Sequence, residues 1–216
     1  MIGKARTNIR AEIDTQYEIL SQMIEDIADH YQEEALRFEK YIDRVAEEDS
    51  EGDNDIKFSI QRSFDDSLEK QYSLTFEARK IMFCAIFSYF ESMLYGIIEY
   101  YKIPRGKTNQ VKQLVDIIKD EYVRKYNEQF PDYGYTETII CEQYRILRNY
   151  FMHGKLDKES DNELLRSYVF SVNGLGWYEW DRYEIIDNNF LIGALGRING
   201  FLVRMEEAYN TKSRKQ

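Results

Sequence analysis

Two side chains suited to acid–base and phosphate chemistry lie close together in this sequence. Arg148 and His153 are five residues apart, and Asn149 directly follows the arginine. Histidine moves protons near neutral pH. An arginine fork neutralises phosphate charge as a transition state forms. Such a pair suits RNA cleavage without a metal. That reaction needs a base for the 2′-hydroxyl, positive charge on the phosphorane and an acid for the 5′-oxygen. One chain supplies one histidine here, whereas a two-fold dimer supplies two, enough for separate acid and base. The spacing alone decides little, because a chain with 15 arginines and two histidines in 216 residues meets R-x(4–6)-H by chance roughly one time in three. The alternative is structural: Arg148 pairs with Glu91 or Glu142 to tie two helices together, and His153 closes a helix end.

Composition narrows the competing chemistries. His30 and His153 are the only histidines, and Cys84 and Cys141 the only cysteines, with no CxxC. A zinc site would have to draw most of its ligands from carboxylates. No metal and no cofactor is expected. The cysteines sit among apolar residues and read as reduced thiols. His30 reads as a solvated surface histidine. There is no phosphate-cradling glycine loop, nucleophile elbow or zinc-protease pair. The net charge of −10 argues against gripping long nucleic acid by bulk electrostatics. It leaves room for a site that meets RNA with a few local cations. The 18 tyrosines read as half-buried helix-face residues whose hydroxyls stay wet.

The start of the chain has no apolar core of signal-peptide type. From Ile81 to Ile98 the chain carries a single charge, Glu91. A spanning helix would bury that charge near the bilayer centre, flanked by Ser88 and Ser92. A central helix covered by the core or by a second subunit is the expectation, with a cytoplasmic location and no membrane.

The elements that must position Arg148 and His153 are mostly helical, since only Pro104 and Pro131 interrupt the chain. Residues 5–48 place Ile9, Ile13, Tyr17, Leu20, Ile24 and Ile27 on one stripe, a long amphipathic N-terminal helix within a segment 1–48. An acidic linker follows at 49–55. Residues 56–64 are ambiguous, because Ile56, Phe58 and Ile60 alternate as in a short strand. Helix resumes near Asp66 and runs to Tyr101. Thr108 is placed as the N-cap of the next helix. After the turn at Pro131–Gly134, Thr136 or Thr138 opens a helix through Tyr144, Leu147 and Phe151 to His153, and Gly154 stands in its C′ position. Ser167–Asn173 and Trp177–Ile186 read as a β-hairpin around Gly174 and Gly176. A final helix starts near Asp187, and 211–216 forms a basic tail.

The string Leu147-Arg148-Asn149-Tyr150-Phe151-Met152-His153-Gly154 resembles the signature of the HEPN superfamily. The helix Ala85-Ile86-Phe87-Ser88-Tyr89-Phe90-Glu91-Ser92-Met93-Leu94 resembles that family's first core helix, with its aromatic–Glu pair. The likeness covers about two thirds of the chain and leaves out the N-terminal part. It implies a HEPN-like up-and-down helical bundle over 56–210, and with the long N-terminal helix and the small hairpin near 167–186 read from the pattern above, the expected fold is all-α. It further implies a metal-independent endoribonuclease of toxin–antitoxin or antiphage-defence type, cutting RNA at a composite homodimer site. Arg148, His153 and Asn149 would then be catalytic, with Glu91, Lys155 and Arg145 in support. A nucleotidyltransferase-like antitoxin or another defence partner fits the same picture. Catalytically inactive relatives imply the alternative, a helical interaction protein for a protein or nucleotide partner.

Overall fold

The computed structural model describes residues 8–108, 110–154, 156, 158–178 and 182–214. The chain is all-α with one small antiparallel sheet. Helix α1 (Ile9–Asp49) begins at Asn8, whose side chain accepts a hydrogen bond from the Arg10 N–H at 3.1 Å. Its apolar stripe buries Ile9, Ile13, Leu20, Ile24 and Ile42. Glu51 and Gly52 take positive φ and turn the chain.

The alternating residues after that turn form a helix, α2 (Asn54–Ser63), rather than a strand. The Asp53 carboxylate caps it, accepting from the N–H groups of Asp55 and Ile56. That cap satisfies first-turn donors locally, whereas a lone strand here would have no neighbour to pair with. Helix α2 buries none of its residues, and Phe58 is 66% exposed.

Helix α3 (Asp65–Tyr100) is the axis of the fold and packs against α1 and against the last helix. Phe83, Ile86, Phe90, Leu94 and Ile97 are fully buried along it. Among the described helices it alone is long and apolar enough to cross a membrane, and 56% of that apolar window is buried inside the protein. Ile81, at the start of the apolar run, is 66% exposed. Helix α4 (Val111–Tyr126) starts after Gln110, two residues later than the Thr108 cap expected from sequence. Thr108 Oγ1 instead accepts from the Gln110 N–H at 3.3 Å.

The motif lies on a continuous helical run. It comprises α5 (Tyr135–Thr138), a π-helical stretch (Ile139–Tyr144) and α6 (Arg145–His153). Gly154 ends it with φ +70°, as a C′ glycine does. Helix α7 (Glu159–Ser171) takes in Ser167–Ser171, which the sequence suggested as a strand. Leu165, Tyr168 and Val169 are buried there at helical spacing. The hairpin is shorter and later than expected: β1 (Leu175–Tyr178) pairs with β2 (Arg182–Ile185), in a register that sets Leu175 opposite Ile185. Helix α8 (Asn188–Ser213) starts at Asp187, whose side chain accepts from the Asn189 N–H at 2.8 Å. It runs through the first residues of the segment expected to be a loose basic tail.

Candidate functional site

Helix α6 is held by its apolar side. Ile146 and Leu147 are buried, and Phe151 meets Phe83 of α3 edge-on at 5.8 Å between ring centres. The hairpin grips the other side. The Tyr150 hydroxyl accepts from the Tyr183 N–H at 3.2 Å. The hairpin is itself pinned to α3. Arg79 donates to Ile186 O at 2.9 Å and to Asn188 Oδ1 at 2.8 Å, and Lys80 pairs with buried Glu184 at 2.9 Å. The rotation of α6 about its axis is therefore fixed from two sides. The π-helical stretch just before it inserts an extra residue per turn, an irregularity that often marks functional helices.

Arg148 and Asn149 are half-buried on the face this leaves open. Arg148 Nη1 donates to Asn149 Oδ1 at 3.2 Å. Its Nε is buried and has no hydrogen-bond partner among the described residues. Neither helix-tying pair closes: Glu142 is held by Lys112 at 3.1 Å, and no ion pair joins Arg148 to Glu91 among the described residues. Glu91 is still near enough to feel the guanidinium. Burial pushes the Glu91 carboxyl and the Cys84 thiol up, and the Arg148 charge offsets part of each shift.

A cleft of about 570 Å³ opens between α3, α4, α6 and α7. Glu91, Arg145, Arg148 and Asn149 line it, together with Lys112 and Lys158. His153 does not line it. Five residues along an α-helix turn the side chain by about 140° and carry it ~7.5 Å along the axis. His153 is exposed at the last position of α6, beyond the cleft. Lys155 lies outside the described residues.

No protein-family model, curated protein or solved structure matches this chain.

The site therefore rests on its own chemistry. No sequence motif marks Lys112 or Lys158, the first lying among apolar residues at 111–115 and the second in a polar stretch. The usable signal was position, since each sits where an apolar periodic run begins and so at the start of a helix. No group of three or more His, Cys, Asp or Glu side chains that could hold a metal occurs among the described residues. Cys141 is buried, its thiol pushed up to about 12 by burial, and Cys84 is half-buried; both are free thiols. His30 is exposed and meets Tyr31 edge-on at 5.5 Å. A second cleft, about 500 Å³, lies against Ile9, Ser92, Tyr95 and Gly96, with Glu12 and Glu99 but no cation among the described residues of its wall.

Proposed function

We propose that this chain is a HEPN-type, metal-independent endoribonuclease of toxin–antitoxin or antiphage-defence kind. It acts in the cytoplasm as a homodimer, on RNA, under the control of an antitoxin or another defence partner. One observation carries the reading. The Arg148 guanidinium lines a polar cleft with no carboxylate clamped to it among the described residues, while His153 stands at the open end of the same helix. A structural arginine at this depth would be expected to close on Glu91.

The chemistry follows from these groups. A histidine base removes the 2′-hydroxyl proton, and the oxygen attacks the adjacent phosphorus. Arg148 stabilises the charge gathered on the phosphorane. The 5′-oxygen leaves with a proton from a second histidine, giving a 2′,3′-cyclic phosphate and a 5′-hydroxyl. Each chain has one His153, so the second comes from the other copy. Asn149 accepts from Nη1 and orients the guanidinium.

The second reading, a non-catalytic helical interaction protein, draws on two observations. His153 is absent from the cleft lining, and the net charge of −10 provides no extended track for RNA. Induced expression in a bacterial host separates the readings. The ribonuclease reading expects growth arrest with the wild type and normal growth with equally abundant His153→Ala. Equal effects of the two proteins favour the interaction protein.

A further inference from the structure

Among the described residues, four cationic side chains reach the cleft from three helices: Lys112 on α4, Arg145 and Arg148 on α6, and Lys158 at the start of α7. Three carboxylates oppose them there, Glu91, Glu142 and Asp161. Counted over the described residues, the cleft thus has an excess of one positive charge in a chain whose net charge is −10. The pairing within it is loose. Lys112 is held by Glu142, but Arg145 reaches Asp161 only at 3.9 Å. Arg148 and Lys158 form no ion pair among the described residues, and the Arg148 Nε is buried with its donor unused.

The backbone adds to this. Helices α4 and α7 both start at the cleft wall, and their N-cap residues, Gln110 and Lys158, make no side-chain cap. First-turn N–H groups without a side-chain acceptor favour an anion. Asp161 sits in the first turn of α7 and offsets part of that field, so the start of α4 contributes more. Phe87 and Leu164 supply an apolar wall. The volume lies within the ~300–1,000 Å³ usual for small-ligand sites.

The reacting phosphate must be touched by both Arg148 and His153, and His153 lies outside this lining, so the part of the cleft walled by Arg145, Lys158 and the start of α4 is suited to a neighbouring phosphate rather than the one being cut. We propose that the cleft is a subsite for a backbone phosphate flanking the cut in single-stranded RNA, gripped by Arg145, Lys158 and the first turn of α4. The choice of RNA as the ligand rests on the ribonuclease reading. The anion site stands on the cleft itself.

The test uses a 2′-O-methyl oligoribonucleotide, which keeps the phosphates but cannot be cut. Its binding to the full chain is followed by fluorescence anisotropy, alongside cleavage of the matching unmodified RNA. Lys158→Glu, at an exposed helix start, is expected to keep the fold by circular dichroism and to weaken binding by about tenfold or more. It should raise KM for cleavage with little change in kcat. Arg145→Glu should act the same way. Binding that is lost in these variants, with no cleavage by any form, keeps the subsite and removes the ribonuclease. Cleavage whose KM is unmoved by either variant removes the subsite and keeps the ribonuclease. A wild type that fails to bind the methylated strand overturns the subsite, as does a folded Lys158→Glu that binds it as well as the wild type.

Discussion

At the residue scale the site turns on one guanidinium and the groups around it. Arg148 and Asn149 stand out in the sequence through the string they form with His153 and Gly154, since the spacing alone decides little. Their depth was not legible there, since it depends on which face of α6 the buried Ile146 and Leu147 claim. Glu91 offers a check on that depth. Burial raises its carboxyl above the ordinary range, so the folded chain binds the proton more tightly than the unfolded chain does. Ionising Glu91 therefore costs stability as pH rises through the ordinary carboxyl range toward the raised value, and the cost is absent below that range. Glu91→Gln should melt at a higher temperature than the wild type near neutral pH, and the gap should close in acid. A variant that melts lower at neutral pH, with the gap widening as pH rises, would mean that Glu91 is held by a stabilising ion pair.

At the element scale the sequence showed the long helices well and the short elements poorly, for a physical reason. Helices α1, α3 and α8 bury stripes over many turns, and their spacing is repeated often enough to be unambiguous. Around Ile56–Ile60 and Ser167–Ser171 the runs are short, and aromatic or β-branched composition favours strand locally. Tertiary packing of Leu165, Tyr168 and Val169, and the Asp53 cap, decide for helix. The hairpin that remains has a definite task, holding α6 through Tyr150 and Tyr183. Its approach depends on Gly174, which has φ +87° and would place an added Cβ 2.8 Å from Phe190 Cβ. Gly174→Ala should cost about 1–3 kcal/mol, a fall of several degrees in Tm. The loosened hairpin should also lower activity by freeing α6. Unchanged stability would show that this junction has room to shift.

At the scale of the whole molecule one subunit holds one arginine–histidine set, and the proposed reaction needs two proton-transfer groups. Sedimentation should therefore show a dimer at micromolar concentration. A monomer with full ribonuclease activity would remove the composite site. The sequence carried this requirement through chemistry, and through an apolar run at 81–98 that leaves core and second subunit open as its cover. The most direct test of the central claim is cleavage of single-stranded RNA by the purified chain in EDTA, with the product ends identified. The account predicts cutting that persists in EDTA and leaves 2′,3′-cyclic phosphate and 5′-hydroxyl ends, while DNA resists for want of the nucleophile. His153→Ala and Arg148→Ala should each lose at least ~100-fold in rate while remaining folded, and Arg148→Lys should not restore it fully. Cleavage that vanishes in EDTA and returns with magnesium, or that proceeds undiminished in His153→Ala, would contradict it.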